Sequence, residues 1–253
     1  MLTLFSRRWI LTTLLAIAAI GVLIRLGVWQ LDRLAQRRQF NARVVAQQQA
    51  EPLTLDSATL ASDLPNMEYR AVVVTGKYDF AQQVVLRNQA WQTLPGVHLL
   101  TPLVISGTNQ AVLVDRGWIP QQDATPDRRS QYDEPGLVTV RGVLRRPQSK
   151  PDFGGVPDPP LAAGQTRLDA WNLVNLERIS RQVSVPMVAA YVQQSPGPAE
   201  TSPPYHSEPQ LDLTEGPHFS YALQWFTFAV ILGIGYPVYV QRHAEQPNVK
   251  RSA

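Results

Sequence analysis

Two long uncharged runs, one near each end of the chain, constrain everything between them. Residues Tyr221 to Val240 read Tyr-Ala-Leu-Gln-Trp-Phe-Thr-Phe-Ala-Val-Ile-Leu-Gly-Ile-Gly-Tyr-Pro-Val-Tyr-Val. At a rise of about 1.5 Å per residue, about 20 such residues match the ~30 Å apolar thickness of a bilayer. The run therefore predicts a membrane-spanning helix. Trp9 to Ile24 is the second run; Arg25 interrupts it and it resumes as Leu26 to Leu31. An arginine stem can lie along lipid while its guanidinium reaches the headgroups, so this segment too is expected to span. The expected layout is a first spanning helix with a juxtamembrane extension over 1–50, a β-rich domain over 51–200, a linker over 201–217, a second span over 218–241 and a tail over 242–253.

Ser6-Arg7-Arg8-Trp9-Ile10-Leu11 resembles a twin-arginine export signal, and cleavage of a signal peptide is the rival to a retained anchor. The run exceeds the roughly 7 to 15 residues of a signal core, and Ala16-Ile17-Ala18 lies inside it, so a retained anchor is expected. Eight residues precede the run, too few for a cleavable mitochondrial presequence. The expected location is a bacterial plasma (inner) membrane. Arg242, Lys250 and Arg251 follow the second span while Asp212 and Glu215 precede it, which favours a cytoplasmic C-terminus. The first span points the other way, with Arg7 and Arg8 before it and Arg33, Arg37, Arg38 and Arg43 after it. The second span and the export-like arginine pair decide for two cytoplasmic termini and an extracytoplasmic centre. No helix breaker occurs before Pro52, so the first helix is predicted to project beyond lipid, with Arg25, Trp29, Arg33 and Arg37 along one face. That face suits headgroups or, at Arg25 or Arg33, the carboxylates of a bound ligand.

Short Val-, Leu-, Tyr- and Thr-rich segments fill the centre: Tyr69 to Thr75, Gln83 to Arg87, His98 to Ile105, Gln110 to Arg116, Leu137 to Leu144, Trp171 to Leu176 and Val188 to Gln193. These read as strands. Gly76-Lys77-Tyr78-Asp79 and Gly107-Thr108-Asn109 read as turns, the latter closing a hairpin, and Glu177 to Gln182 as one short helix. Pro147 to Gln165, rich in proline and glycine, and Ser195 to Pro217 read as long connections. The expected class is an α+β membrane protein in which two transmembrane helices flank a mostly antiparallel small barrel or sandwich, extracytoplasmic.

The absence of cysteine removes disulfides, thiolate metal sites and Cys-x-x-Cys-His haem attachment. Methionine is confined to Met1, Met67 and Met187, too few for a soft-ligand Cu(I) carrier. A net charge of +3 is too small and scattered for a nucleic-acid surface. Neither His-Glu-x-x-His, Gly-x-Ser-x-Gly nor a phosphate-cradling glycine loop occurs, so a non-enzymatic protein is expected. Of the histidines, His98 falls in a predicted strand and reads as a packed or surface residue, while His206 and His243 fall in flexible flanks. His218 stands at the rim of the second span, and at helical spacing it shares a face with Tyr221 and Trp225. An imidazole over aromatics suits either an interfacial structural role or an axial ligand to haem iron. Gly27-Val28-Trp29-Gln30-Leu31-Asp32-Arg33 and Val114-Asp115-Arg116-Gly117-Trp118-Ile119-Pro120 each couple a tryptophan to an arginine. In the second, Gly117 permits a turn or bulge, Pro120 stops a strand and Arg116 stacks or pairs.

Taken in order, these segments resemble the Surfeit locus protein 1 family, membrane proteins that help assemble cytochrome c oxidase. The likeness runs through Leu26-Gly27-Val28-Trp29-Gln30 with Arg33, Tyr69-Arg70, Gly76-Lys77-Tyr78, Gly96 with Thr101-Pro102-Leu103, Leu113 to Pro120, Gly142, Trp171, and His218 with Tyr221-Ala222-Leu223-Gln224-Trp225-Phe226. The family often carries Asn-Asn where this chain has Gly216-Pro217, and an Asp where Asn175 stands. The resemblance implies a role in supplying or stabilising haem a in oxidase subunit I. It also implies partners in subunit I, the haem a synthesis machinery and membrane lipids, with no nucleic acid. It points to His218 as a haem contact and possible axial ligand of the iron, beside Tyr221 and Trp225, with Arg33 toward the propionates. The alternative it leaves open is a membrane scaffold that binds subunit I without contacting haem.

Overall fold

The fold is described from a computed structural model, for residues 4–198 and 200–244. The expected tail beyond 244, with Lys250 and Arg251, lies outside the described residues. In chain order the elements are α1 (Ile10–Gln49), β1 (Leu53–Leu55), β2 (Ala71–Tyr78), β3 (Val84–Trp91), β4 (Leu94–Ile105), β5 (Ala111–Pro120), one-turn α2 (Pro126–Arg129), β6 (Val138–Arg145), β7 (Ala170–Trp171), α3 (Leu176–Ser180), β8 (Met187–Gln194) and α4 (His218–Ala244). Two compact units result, one of Met1–Arg43 with Asp212–Ala253 and one of Val44–Leu211.

In the first unit the two apolar helices α1 and α4 are each long and apolar enough to cross a membrane. The first runs unbroken for 40 residues, as its lack of breakers before Pro52 predicts. At about 1.5 Å per residue that is ~60 Å, roughly twice an apolar bilayer core.

The second unit is a closed five-stranded barrel in the order β2-β6-β8-β5-β4, the β2–β4 pairing completing the ring. Neighbours run antiparallel except β5 and β8, which are parallel. The inner face is read off alternation: Val72 and Val74 of β2, Leu103 and Ile105 of β4, Val112 and Val114 of β5, and Val188, Ala190 and Val192 of β8 form one buried cluster. Outside the ring, β3 extends β4, β7 joins β3, and β1 lies parallel to β2. Leu100, Leu113, Trp171, Leu176 and Ile179 bury this outer layer. Because β5 is covered on both faces, Ala111 to Ile119 is buried without alternation. The strand runs on to Pro120 rather than ending at Arg116.

Two sequence expectations are corrected. Gly76-Lys77-Tyr78 is not a turn; it pairs with Ile105, Val104 and Leu103 and is the seam that closes the barrel. Local composition suggested a turn, whereas the partner strand supplies the missing hydrogen bonds. Within the stretch Trp171 to Leu176 only Trp171 is strand, as the end of β7, after which Asn175 caps α3 by accepting from the Arg178 amide. An Asp or an Asn serves equally at such a cap. The Gly107 hairpin, a short helix after Leu176 and the long connection before Ala170 stand as expected.

The Arg-Gly-Trp segment organises packing. Arg116 is 1% exposed. Its guanidinium lies 4.7 Å from the Tyr78 ring centre and 5.3 Å from that of Phe80, and donates to Glu134 at 2.8 Å and to Gln83 at 3.3 Å. Gly117, at φ +92°, makes a bulge opposite Leu99. The bulge lets the Trp118 backbone exchange two hydrogen bonds with Tyr205, whose ring is stacked between Trp91 and Trp118. An added Cβ at Gly117 would stand 2.5 Å from the Tyr205 carbonyl oxygen. Gly117→Ala should therefore lower stability by about 1–2 kcal/mol from the left-handed backbone alone, with further loss as the Tyr205 segment lifts. Urea unfolding of the full chain in detergent reads this directly, and an unchanged midpoint would show that the bulge is not needed.

Candidate functional site

The site of interest forms within the helical unit, at the first turn of α4. The segment 212–217 is held on α1 by three side chains. Arg37 donates through Nε to the Thr214 carbonyl at 2.9 Å and through Nη2 to that of Asp212. Arg38 grips Glu215 through Nε and Nη2 at 2.8 and 2.9 Å, and Asn41 donates to the Leu213 carbonyl at 2.5 Å. Two of the arginines in the second half of α1 are thus engaged in intramolecular surface contacts. The Thr214 hydroxyl and amide hold the Asp212 carboxyl below its usual range, with Arg37 adding to it. Arg38 does the same for Glu215, chiefly through its hydrogen bond.

From His218 onward α4 runs antiparallel to α1 and meets it at helical spacing. The His218 Nδ1 lies 2.8 Å from Gln30 Oε1. A Cβ on Gly27 would stand 2.6 Å from Cε1 of Phe226, so the glycine lets that ring close on the α1 backbone. Gly233 faces Ile20, and the Tyr236 hydroxyl meets those of Thr12 and Thr13 at 2.8 Å each. Ala222, Ala229 and Val240 are buried along the same stripe.

His218 and Arg33 share a groove of about 290 Å³ with Gln36, Arg37 and Phe40. The Arg33 guanidinium sits 5.6 Å from the Trp29 ring centre and donates to Gln36 at 3.1 Å, leaving donors for an anion. Tyr221 and Trp225 are not among the groove's lining residues. Tyr221 is 47% exposed, and Trp225 packs edge-on against Phe228 with ring centres 6.2 Å apart. The structure therefore joins two of the four expected residues and sets the aromatic pair on the helix flank. Sequence reasoning named Gln30 within the Gly-Val-Trp-Gln segment but gave it no role at the site, and it missed Gln36 and Phe40. The signal for Gln30 was an amide placed among apolar residues, where a partner is needed.

The other histidines have local partners. His243 bonds the Tyr239 carbonyl at 2.9 Å. His206, expected in a flexible flank, is instead docked, its Nδ1 2.6 Å from Glu200, because the adjacent Tyr205 is paired with Trp118. His98 faces Asp115 at 2.9 Å. Burial alone would push His98 down, but the charge and hydrogen bond of Asp115 outweigh it and hold His98 above its ordinary value. Among the described residues no group of three or more His, Cys, Asp or Glu is placed to hold a metal ion. A haem iron asks the chain for an axial side chain rather than such a group.

A model of the SURF1 family matches residues 17–230. A SURF1-like protein of Monosiga brevicollis is 27% identical over 220 residues, which cover 81% of this chain and 78% of that one. An uncharacterised SURF1-like protein of Mycobacterium bovis is 26% identical over 228 residues, covering 87% and 79%. Surfeit locus protein 1 of Homo sapiens is 24% identical over 189 residues, 69% of this chain and 58% of the human one. The matched region contains Gln30, Arg33 and His218.

The grip of Arg38 on Glu215 sets a pH dependence. A carboxyl whose folded value is depressed adds stability that is fully present above its ordinary value of 4.5 and is lost as pH falls through the lowered one. Hydrogen-exchange protection of the Thr214 amide, which donates to the Asp212 carboxylate within this segment, should thus drop in acid. In Arg38→Gln it should be lower than in the parent at neutral pH and fall less on acidification, because Arg37, Asn41 and the Asp212 carboxylate remain. Equal protection in both proteins at neutral pH would show that Arg38 does not hold this segment.

Proposed function

The chain belongs to the SURF1 family, and from that premise we propose that it is a non-enzymatic, membrane-anchored assembly factor for a haem–copper oxidase. Its task in this reading is to assist delivery of haem a to subunit I or its stabilisation there. The helices α1 and α4 cross a bacterial plasma membrane with both termini in the cytoplasm, and the barrel, extracytoplasmic, engages the nascent oxidase. The haem a synthesis machinery lies upstream as the source of the group.

One observation carries the haem reading: an imidazole whose Nδ1 is occupied by Gln30 lies in the same groove as a guanidinium with donors to spare. The residues fit a metalloporphyrin. His218 would hold the iron through Nε2, Arg33 would meet a propionate, and the exposed Tyr221 and half-buried Trp225 would offer apolar surface to the ring. Bound there, the group supplies no chemistry to this chain and is cargo. The two departures from the family pattern are compatible with the fold. Gly216 has φ +68°, a conformation that glycine and asparagine both enter readily. Asn175 serves as the α3 cap.

The second reading, a scaffold that binds subunit I without haem, is favoured by the same hydrogen bond, since Gln30 satisfies His218 within the helix pair. The two readings part on purification from cells that make haem a. The first expects haem absorbance that His218→Ala abolishes and that Arg33→Ala weakens by about tenfold in affinity, the worth of one charge-assisted hydrogen bond. Absorbance that is absent, or unmoved by His218→Ala, would leave the scaffold.

A further inference from the structure

Gln30 is an uncharged polar side chain set in an apolar run, and its amide oxygen meets the imidazole of His218 across the helix pair at 2.8 Å. A carboxamide oxygen can only accept, so the contact requires the proton on Nδ1. A neutral imidazole with Nδ1–H carries its lone pair on Nε2. The opposite tautomer would present N–H at that edge, and an N–H cannot ligate a metal. The ring is fixed as well as polarised, because Gln30 and His218 sit on facing helices kept close by the Gly27–Phe226 contact. On the far edge of the ring, a Cβ at Gly216 would stand 3.6 Å from Nε2, and the glycine leaves that space open.

We propose that Gln30 is the positioning residue of the His218 site: it selects the Nδ1–H tautomer and holds the ring so that the Nε2 lone pair is offered to an electron-accepting ligand, of which a metalloporphyrin bearing carboxylates is the class the groove suits. The partner of a ligating histidine's second nitrogen commonly sets both tautomer and basicity in this way, and its loss costs about 10- to 100-fold in metal affinity. The tautomer claim stands on the contact itself, and the ligand class rests on the haem reading above.

The test uses the full chain, labelled with ¹⁵N-histidine, in detergent and free of haem. The His218 resonances are identified by their loss in His218→Ala. The parent should show the Nδ1–H tautomer as the dominant form. Gln30→Leu should show a mixture, and Gln30→Glu, which keeps an acceptor at the same reach, should restore it. Titration with iron protoporphyrin should then give at least about 10-fold weaker binding for Gln30→Leu and near-parental binding for Gln30→Glu. A parent dominated by Nε2–H, or a tautomer ratio unchanged in Gln30→Leu, overturns the proposal. Parental Nδ1–H with no porphyrin binding by the parent leaves tautomer selection in place and removes the ligand reading. Unaltered circular dichroism and an unaltered Tyr236 environment in Gln30→Leu separate loss of positioning from loss of the helix pair.

Discussion

In lipid, two apolar helices gain nothing from the hydrophobic effect by leaving lipid tails for each other, so their pairing must come from close packing and from hydrogen bonds. On the proposed reading of α1 and α4 as membrane spans, that constraint governs their pairing. Their contact is made where Gly27 admits the Phe226 ring, where Ile20 meets Gly233, and where two polar contacts pin the ends, Thr12 and Thr13 to Tyr236 and Gln30 to His218. Such interhelical hydrogen bonds are individually worth about 0.6 kcal/mol on average, so no single one holds the pair. The Arg37, Arg38 and Asn41 clamp on the segment 212–217 adds a further fixed point just ahead of α4. The groove shared by His218 and Arg33 exists because this pairing places one beside the other.

The barrel unit follows a different logic. Water drives its strands together, and the alternating valines of β2, β5 and β8 fill its interior. Its two specialised features are the β2–β4 seam and the β5 bulge. The first closes the ring and leaves neither β2 nor β4 a free edge. The second turns Arg116 into a buried, paired and ring-stacked cation while it opens the backbone of Trp118 to Tyr205. The Arg-Gly-Trp segment thus serves packing, as its turn-permitting glycine and stacking arginine suggest.

The sequence displayed some of this plainly and hid the rest for identifiable reasons. The length of α1 was legible because nothing before Pro52 breaks a helix. Strand positions were legible where one face is buried, as at Val72 and Val74. The extent of β5 was not, since burial on both faces erases the period of two that marks a strand's orientation. Gly76-Lys77-Tyr78 looked like a turn because its stabilising partners, Leu103 to Ile105, lie far along the chain. Of the site, His218 and Arg33 were visible as polar groups at the rims of apolar runs. The role of Gln30 was not, for its partner is on the other helix and no local pattern links them. Tyr221 and Trp225 follow His218 on one face of α4 by helical period, while the stripe that meets α1 is centred on Ala222, Phe226 and Ala229.

The absence of cysteine makes the helix pairing directly measurable. Cysteines introduced together at Ile20 and Gly233, where the Ile20 Cδ1 lies 3.9 Å from the position of a Gly233 Cβ, should be joined by a short bis-thiol crosslinker in membranes. A control pair at Val22 and Gly233 should not, because Val22 is exposed on another face of α1. Efficient closure of the first pair alone is the result expected of this register. Closure of both pairs at equal rates, or of neither, would contradict the α1–α4 arrangement on which the His218 groove depends.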